Sequence, residues 1–110
     1  MEIIGLYIPW EPPHEISDSG VQQWYKDGKK HREDGPAVIY TDGDQYWYKD
    51  DKLHHEDGPA VIYSDGDQFW YIHNVDITDD VNEWAEQCNI DLDNMSDSDK
   101  LLLKIFISGL

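Results

Sequence analysis

The feature that most limits how this chain can fold is a tandem repeat at an offset of 23 residues. His31-Arg32-Glu33-Asp34-Gly35-Pro36-Ala37-Val38-Ile39-Tyr40 returns as His54-His55-Glu56-Asp57-Gly58-Pro59-Ala60-Val61-Ile62-Tyr63. The match extends on both sides. Trp24-Tyr25-Lys26-Asp27 aligns with Trp47-Tyr48-Lys49-Asp50, and Asp42-Gly43-Asp44-Gln45-Tyr46-Trp47-Tyr48 aligns with Asp65-Gly66-Asp67-Gln68-Phe69-Trp70-Tyr71. A fixed period of about 20 to 50 residues marks one supersecondary unit copied along an axis, each copy covering a face its neighbour leaves open. Pro13, Ile16, Gly20, Gln22 and Trp24 fall on Pro36, Ile39, Gly43, Gln45 and Trp47, so residues 13–25 form a degenerate terminal copy.

Within a copy, Ala37 to Tyr40 and Gln45 to Tyr48 are β-branched and aromatic, the composition of strands. Asp42-Gly43 between them suits a two-residue type I′ loop. That loop predicts Tyr40 opposite Gln45, Ile39 opposite Tyr46 and Val38 opposite Trp47, with both sheet faces partly apolar. Asp27-Gly28 predicts a second hairpin. Its counterpart Asp50-Asp51 has lost the glycine, so that turn is expected to be strained. Gly35 and Gly58 read as bends, and Pro36 and Pro59 as openings of the next strand. The expected fold is mainly β, an elongated antiparallel β-meander of hairpin repeats with a short α-helical C-terminal cap.

The period fades after Tyr71, although residues 72–77 still follow it and place Ile77 on His54. Thr78 reads as the N-cap of an amphipathic helix ending near Asn89, with Val81, Trp84, Ala85 and Cys88 at i, i+3, i+4 and i+7 on its apolar face. Ser96-Asp97-Ser98-Asp99 reads as a second cap before residues 100–107, where helix is favoured and strand stays open. The chain is expected to be one domain over residues 1–110: an N-terminal strand (1–12), the repeats (13–77) and an acidic helical cap (78–110).

The chain has 110 residues and a formal charge of −16. Nucleic acid is excluded as a direct ligand, because a phosphate binder needs a basic surface to displace counterions. Anionic membrane surfaces are disfavoured for the same reason. What such a chain attracts is a basic surface on another protein. Charge is densest over residues 76–110, where nine acids face two lysines for a net −7. A single cysteine, Cys88, excludes an intramolecular disulfide. No leader or spanning segment is read, so a cytoplasmic location is expected, that of the host cell if the protein is viral.

His31, His54 and His55 with Glu33, Asp34, Glu56 and Asp57 form the one constellation with metal-binding or acid–base chemistry. Its recurrence at equivalent positions favours turn-building instead, so no catalytic residue, metal ligand or cofactor is assigned. Trp24, Trp47 and Trp70 favour packing over stacking on bases or sugars. Asp42, Asp44, Asp65 and Asp67 lack the spacing of a calcium loop. Cys88 reads as packing.

The Asp-Gly-Asp-Gln-Tyr-Trp-Tyr-Lys-Asp-Asp-Lys run from Asp42, at this period, resembles MORN repeats. The His-Arg-Glu-Asp-Gly-Pro-Ala block resembles a variant found in tailed bacteriophages and giant viruses, where it replaces the usual His-Gly-x-Gly segment and an acidic Trp-containing helix often follows. The resemblance covers roughly residues 13–77 and implies an interaction or assembly module rather than a catalyst. The lipid binding described for some MORN proteins does not carry over, since the basic surface is missing. The expected function is a non-enzymatic, phage-type inhibitor that docks on the basic, nucleic-acid-binding surface of a host or defence protein by DNA mimicry. The expected contacts are Asp76, Asp79, Asp80, Glu83, Glu86, Asp91 and Asp93 on the cap, then the loop-tip Asp42, Asp44, Asp65 and Asp67. The alternatives are a scaffold module using its sheet edge or aromatic face, and a His/carboxylate metal-dependent hydrolase.

Overall fold

The computed structural model describes residues 12–110. The strand expected over residues 1–12 lies outside the described residues, apart from Pro12. The first copy supplies β1 (Glu15–Ile16), β2 (Gln22–Gln23), β3 (Tyr25–Lys26) and β4 (Lys29–Lys30). The second supplies β5 (Val38–Ile39), β6 (Gln45–Tyr46), β7 (Tyr48–Lys49) and β8 (Lys52–Leu53). The third supplies β9 (Val61–Ile62), β10 (Gln68–Phe69), β11 (Tyr71–Ile72) and β12 (Val75–Asp76). The first two strands of every copy join one six-stranded antiparallel sheet in the order β1-β2-β5-β6-β9-β10. The last two form a separate small hairpin. The result is an elongated meander, 50 × 32 × 27 Å, closed by α1 (Thr78–Gln87) and α2 (Asp97–Ser108).

The long hairpins depart from the expected register by one residue. Val38 lies opposite Tyr46 and Ile39 opposite Gln45, and the third copy pairs Val61 with Phe69 and Ile62 with Gln68. The cause is a three-residue loop, Thr41-Asp42-Gly43. Tyr40 N–H donates to Asp44 O and Gly43 N–H to Tyr40 O, both at 3.0 Å, with Gly43 at φ +102°. A type I turn followed by a left-handed glycine makes this wider hairpin. Asp42 carboxylate accepts Asp44 N–H at 3.0 Å and sets the turn. One cross-strand row therefore reads Val38, Tyr46, Val61, Phe69, and the opposite row reads Ile39, Gln45, Ile62, Gln68. On the sheet face of the first row, Tyr40, Tyr46, Tyr63 and Phe69 pack edge to face in succession, at 5.3, 6.3 and 5.6 Å between ring centroids. That geometry is the preferred one for aromatic pairs.

The small hairpins match expectation as type I′ turns, and the absent glycine has a positive reason. Asp27 and Gly28 have φ of 53° and 78°, Asp50 and Asp51 have 53° and 67°, and His73 and Asn74 have 47° and 70°. Asp51 N–H donates to Lys30 O at 2.9 Å while its carboxylate accepts Lys30 N–H at 2.6 Å. Asn74 repeats both bonds with Leu53, at 2.9 and 2.8 Å. The second and third turns thus stitch their hairpins to the one before, which a glycine such as Gly28 in the first turn cannot do through a side chain. Asn and Asp are also the residues that best tolerate left-handed backbone.

The repeat ends by substitution of an acceptor. In earlier copies Trp24 and Trp47 N–H donate to Ala37 O and Ala60 O, at 2.8 and 2.7 Å. Trp70 N–H donates instead to Thr78 Oγ1 at 2.9 Å, and Trp70 O accepts from Ile77 at 2.8 Å. Thr78 is therefore the first residue of α1 rather than its N-cap; Asp76 carboxylate accepts Thr78 N–H at 2.9 Å. The helix packs Val81 and Ala85 inward and ends with Asn89 left-handed, Asn89 N–H on Glu86 O and Ile90 N–H on Ala85 O. That is a Schellman stop. It leaves Cys88 exposed just past the helix, not on the packed face as expected. Residues 100–107 are helical, and Ser96 forms a capping box with Asp99. Leu103 and Ile107 of α2 join Trp70, Ile77 and Val81 in the buried core.

Candidate functional site

The carboxylates proposed by sequence divide into those that build the fold and those that face outward without a partner. Asp42, Asp65, Asp76 and Asp91 each accept a backbone N–H two residues on, and Asp44 accepts Ser64 N–H from the next copy at 2.7 Å. These five are turn and junction residues that retain exposed or half-exposed charge. Asp79, Asp80, Glu83 and Glu86 of α1 are exposed, and none of their carboxylates makes a hydrogen bond or an ion pair among the described residues. Asp79, Glu83 and Glu86 follow i, i+4 and i+7 spacing, so they share one stripe of the helix, opposite buried Val81 and Ala85. Asp93 and Asp67 are exposed in loops. The structure thus groups the α1 set and separates it from the loop-tip set on the sheet.

The histidine block is resolved as a junction between copies. His31 is 7% exposed; its Nδ1 accepts Asp50 N–H at 3.2 Å and its Nε2 faces Glu33 Oε2 at 3.3 Å. His54 repeats this with His73 N–H at 3.1 Å and Glu56 Oε2 at 3.1 Å. An Nδ1 that accepts fixes the Nε2–H tautomer, so each imidazole bridges the next copy's turn to its own copy's glutamate. The His54 hydrogen bond is the main reason the Glu56 carboxyl is held below its ordinary range.

The neighbouring position explains the invariant spacing to glycine within both copies. Arg32 lies over the Trp24 ring at 4.0 Å, and His55 stacks on Trp47 at 4.7 Å with 5° between planes. Arg32 Nη1 donates to Pro36 O at 3.1 Å, and His55 Nδ1 lies 2.9 Å from Pro59 O. A Cβ on Gly35 would sit 2.8 Å from Arg32 Cζ, and one on Gly58 would sit 3.1 Å from His55 Cε1. Neither glycine has positive φ. The chain bends at both glycines as expected, and each also leaves room for the planar group that is clamped between it and an indole. Burial pushes the His55 pKa down from 6.5.

Sequence reasoning missed the clefts that these junctions leave. One of about 310 Å³ lies between the first and second copies, lined by His31, Glu33, Trp47, His54 and Glu56 among others. The next, about 330 Å³, is closed by α2 through Lys104, Ile107 and Leu110. Lys104 reaches Asp57 at 3.0 Å, and that bond raises the Lys104 pKa. The only signal for these clefts was the repeat itself, since their walls come from residues one period apart. Among the described residues no group of three His, Cys, Asp or Glu converges to hold a metal ion. No described helix is long and apolar enough to cross a membrane. No family model, curated protein or solved structure matches the chain.

Proposed function

We propose that the chain is a non-enzymatic, MORN-like binding module that docks on the basic, nucleic-acid-binding surface of another protein by DNA mimicry, as a phage-type inhibitor of a host or defence protein. The observation that carries this reading is the outer face of α1, where Asp79, Glu83 and Glu86 share one stripe with Asp80 to its side, all exposed and with carboxylates unpaired among the described residues, on a helix pinned by Val81 and Ala85. A rigid array of charges keeps its spacing at little entropic cost on binding, and spacing is what a phosphate-reading surface recognises. The carboxylates at the hairpin tips, exposed at Asp42, Asp65 and Asp67 and half-exposed at Asp44, extend the same field along the sheet.

The test is affinity capture from host lysate at low and high salt, with duplex DNA as competitor. Specific partners should be released by salt and by DNA, because both screen or replace the carboxylates. Asp79→Asn, Asp80→Asn, Glu83→Gln and Glu86→Gln together should abolish capture. Capture that survives all four substitutions removes α1 as the contact surface.

A further inference from the structure

We infer that the outer edge of β10 is a docking site for an extended segment of a second protein, which adds to the sheet as a seventh strand. Within the chain, both junctions between copies share one register. Gln22 lies opposite Ile39 and Gln45 opposite Ile62; Gln23 and Tyr46 lie opposite Val38 and Val61. At the hairpin tips Asp44 carboxylate takes Ser64 N–H at 2.7 Å. A Cβ on Gly20 would meet Thr41 Cγ2 at 2.9 Å, and one on Gly43 would meet Ser64 Cβ at 3.6 Å.

The third copy carries the same half-junction with no described residue on it. Phe69 O accepts Ala60 N–H inside its hairpin at 2.9 Å, so Gln68 and Trp70 direct their backbone groups away from β9. Trp70 is satisfied by Thr78 and Ile77. Gln68 is the ladder position left over, β10 ends the strand order, and Asp67 carboxylate has no counterpart of the Ser64 bond among the described residues. A Cβ on Gly66 would meet nothing within 4 Å. The helices cover the Trp70 end of the strand and leave the hairpin-tip end uncovered, with Gly66 and Asp67 exposed.

The internal junctions define the occupant. It is an antiparallel strand of the form Val-Ile-x-Ser or Val-Ile-x-Thr, its isoleucine opposite Gln68, its valine opposite Phe69, and its hydroxyl residue giving a backbone N–H to Asp67. A second copy of this chain does not fit. Its β5 and β9 are already paired on both edges, and its β1 would set Asp18 where Ser64 stands at the internal junction, against Asp67.

The test titrates isotope-labelled protein with the end-capped hexapeptide Pro-Ala-Val-Ile-Tyr-Ser, the sequence of residues 59–64. Saturable amide shifts confined to residues 66–69 are expected. A peptide N-methylated at its isoleucine should bind about tenfold more weakly or not at all, because the ladder bond is blocked. Gln68→Pro, tolerable at an edge strand, should also abolish the shifts while near-ultraviolet dichroism confirms the fold. Equal binding of the methylated peptide, or shifts centred on the exposed α2 residues Leu101, Leu102 and Ile105, overturns the proposal. So do concentration-dependent shifts at residues 66–69 without peptide, which would assign the edge to a second copy.

Discussion

A methyl group placed on Gly35 would put its carbon 2.8 Å from Arg32 Cζ, inside the distance that carbon atoms tolerate. The guanidinium has to shift to relieve the contact, and a shift strains its seat on Trp24 and its bond to Pro36 O. Gly35→Ala should therefore cost about 1–3 kcal/mol in urea unfolding. Gly58→Ala, with 3.1 Å to His55 Cε1, should cost less. In a double-mutant cycle the Arg32→Ala change should absorb most of the Gly35→Ala penalty, since the atom being struck is gone. Additive penalties would show that the glycine is needed for backbone reasons instead. Position 51 makes a second case. Asp51 is held at φ 67° because its carboxylate accepts Lys30 N–H. Asp51→Gly relieves the backbone but removes that acceptor, so it should fail to stabilise the chain. Asp51→Asn, the choice the next copy makes at Asn74, should be neutral or stabilising by about 0.5 kcal/mol. Sequence alone showed a lost glycine and suggested strain; the partner that justifies it comes from a strand 21 residues earlier, in the preceding copy.

At the scale of elements, the junction between repeats and cap rests on one hydroxyl. Thr78→Val keeps the shape but leaves Trp70 N–H without an acceptor beside a buried indole. A loss of about 1–3 kcal/mol is expected, seen first as faster amide exchange at Ile77 and across α1. Uniform exchange throughout the sheet would mean that the cap and repeats unfold as one unit. The hairpins, both helices and the Ser96 cap were legible in sequence, because strand composition, turn dipeptides and capping boxes are local signals. The register was not. Asp-Gly fits both a two-residue and a three-residue loop, and the choice between them depends on Tyr40 finding Asp44 O across the turn. Nor was the helix start at Thr78 legible, since Thr78 serves the sheet rather than its own helix. Of the candidate residues, Asp79, Asp80, Glu83 and Glu86 were legible in sequence as helical. The structural duty of Asp44 was hidden, because Ser64 N–H lies 20 residues away in sequence.

At the scale of the whole molecule, two pH-dependent groups and the net charge set opposing trends. Burial lowers the His55 pKa in the folded state below 6.5, so its contribution is fully present above that value and is lost as pH falls through the folded pKa. Glu56 is also lowered, chiefly by His54, so its contribution is present above its ordinary 4.5 and is lost on further acidification. Tm should therefore fall between about pH 7.5 and about pH 5.5, where carboxylates are still ionised and only histidine titrates. His55→Arg copies the first repeat, where Arg32 occupies the same clamp, and should flatten that fall while preserving the fold. An unchanged pH profile in this variant would move the dependence to another histidine. The charge of −16 adds self-repulsion at neutral pH, which salt screens. Raising sodium chloride from about 0.05 M to about 0.5 M should thus raise Tm, while it weakens any complex held by the α1 carboxylates. The two measurements carry opposite signs for one cause, which separates them from a general effect of salt on apolar contacts. Salt acting through the hydrophobic effect would strengthen both folding and binding. If binding strengthens with salt alongside Tm, the interface is apolar, and the exposed face of α2 at Leu101, Leu102 and Ile105 becomes the surface to substitute.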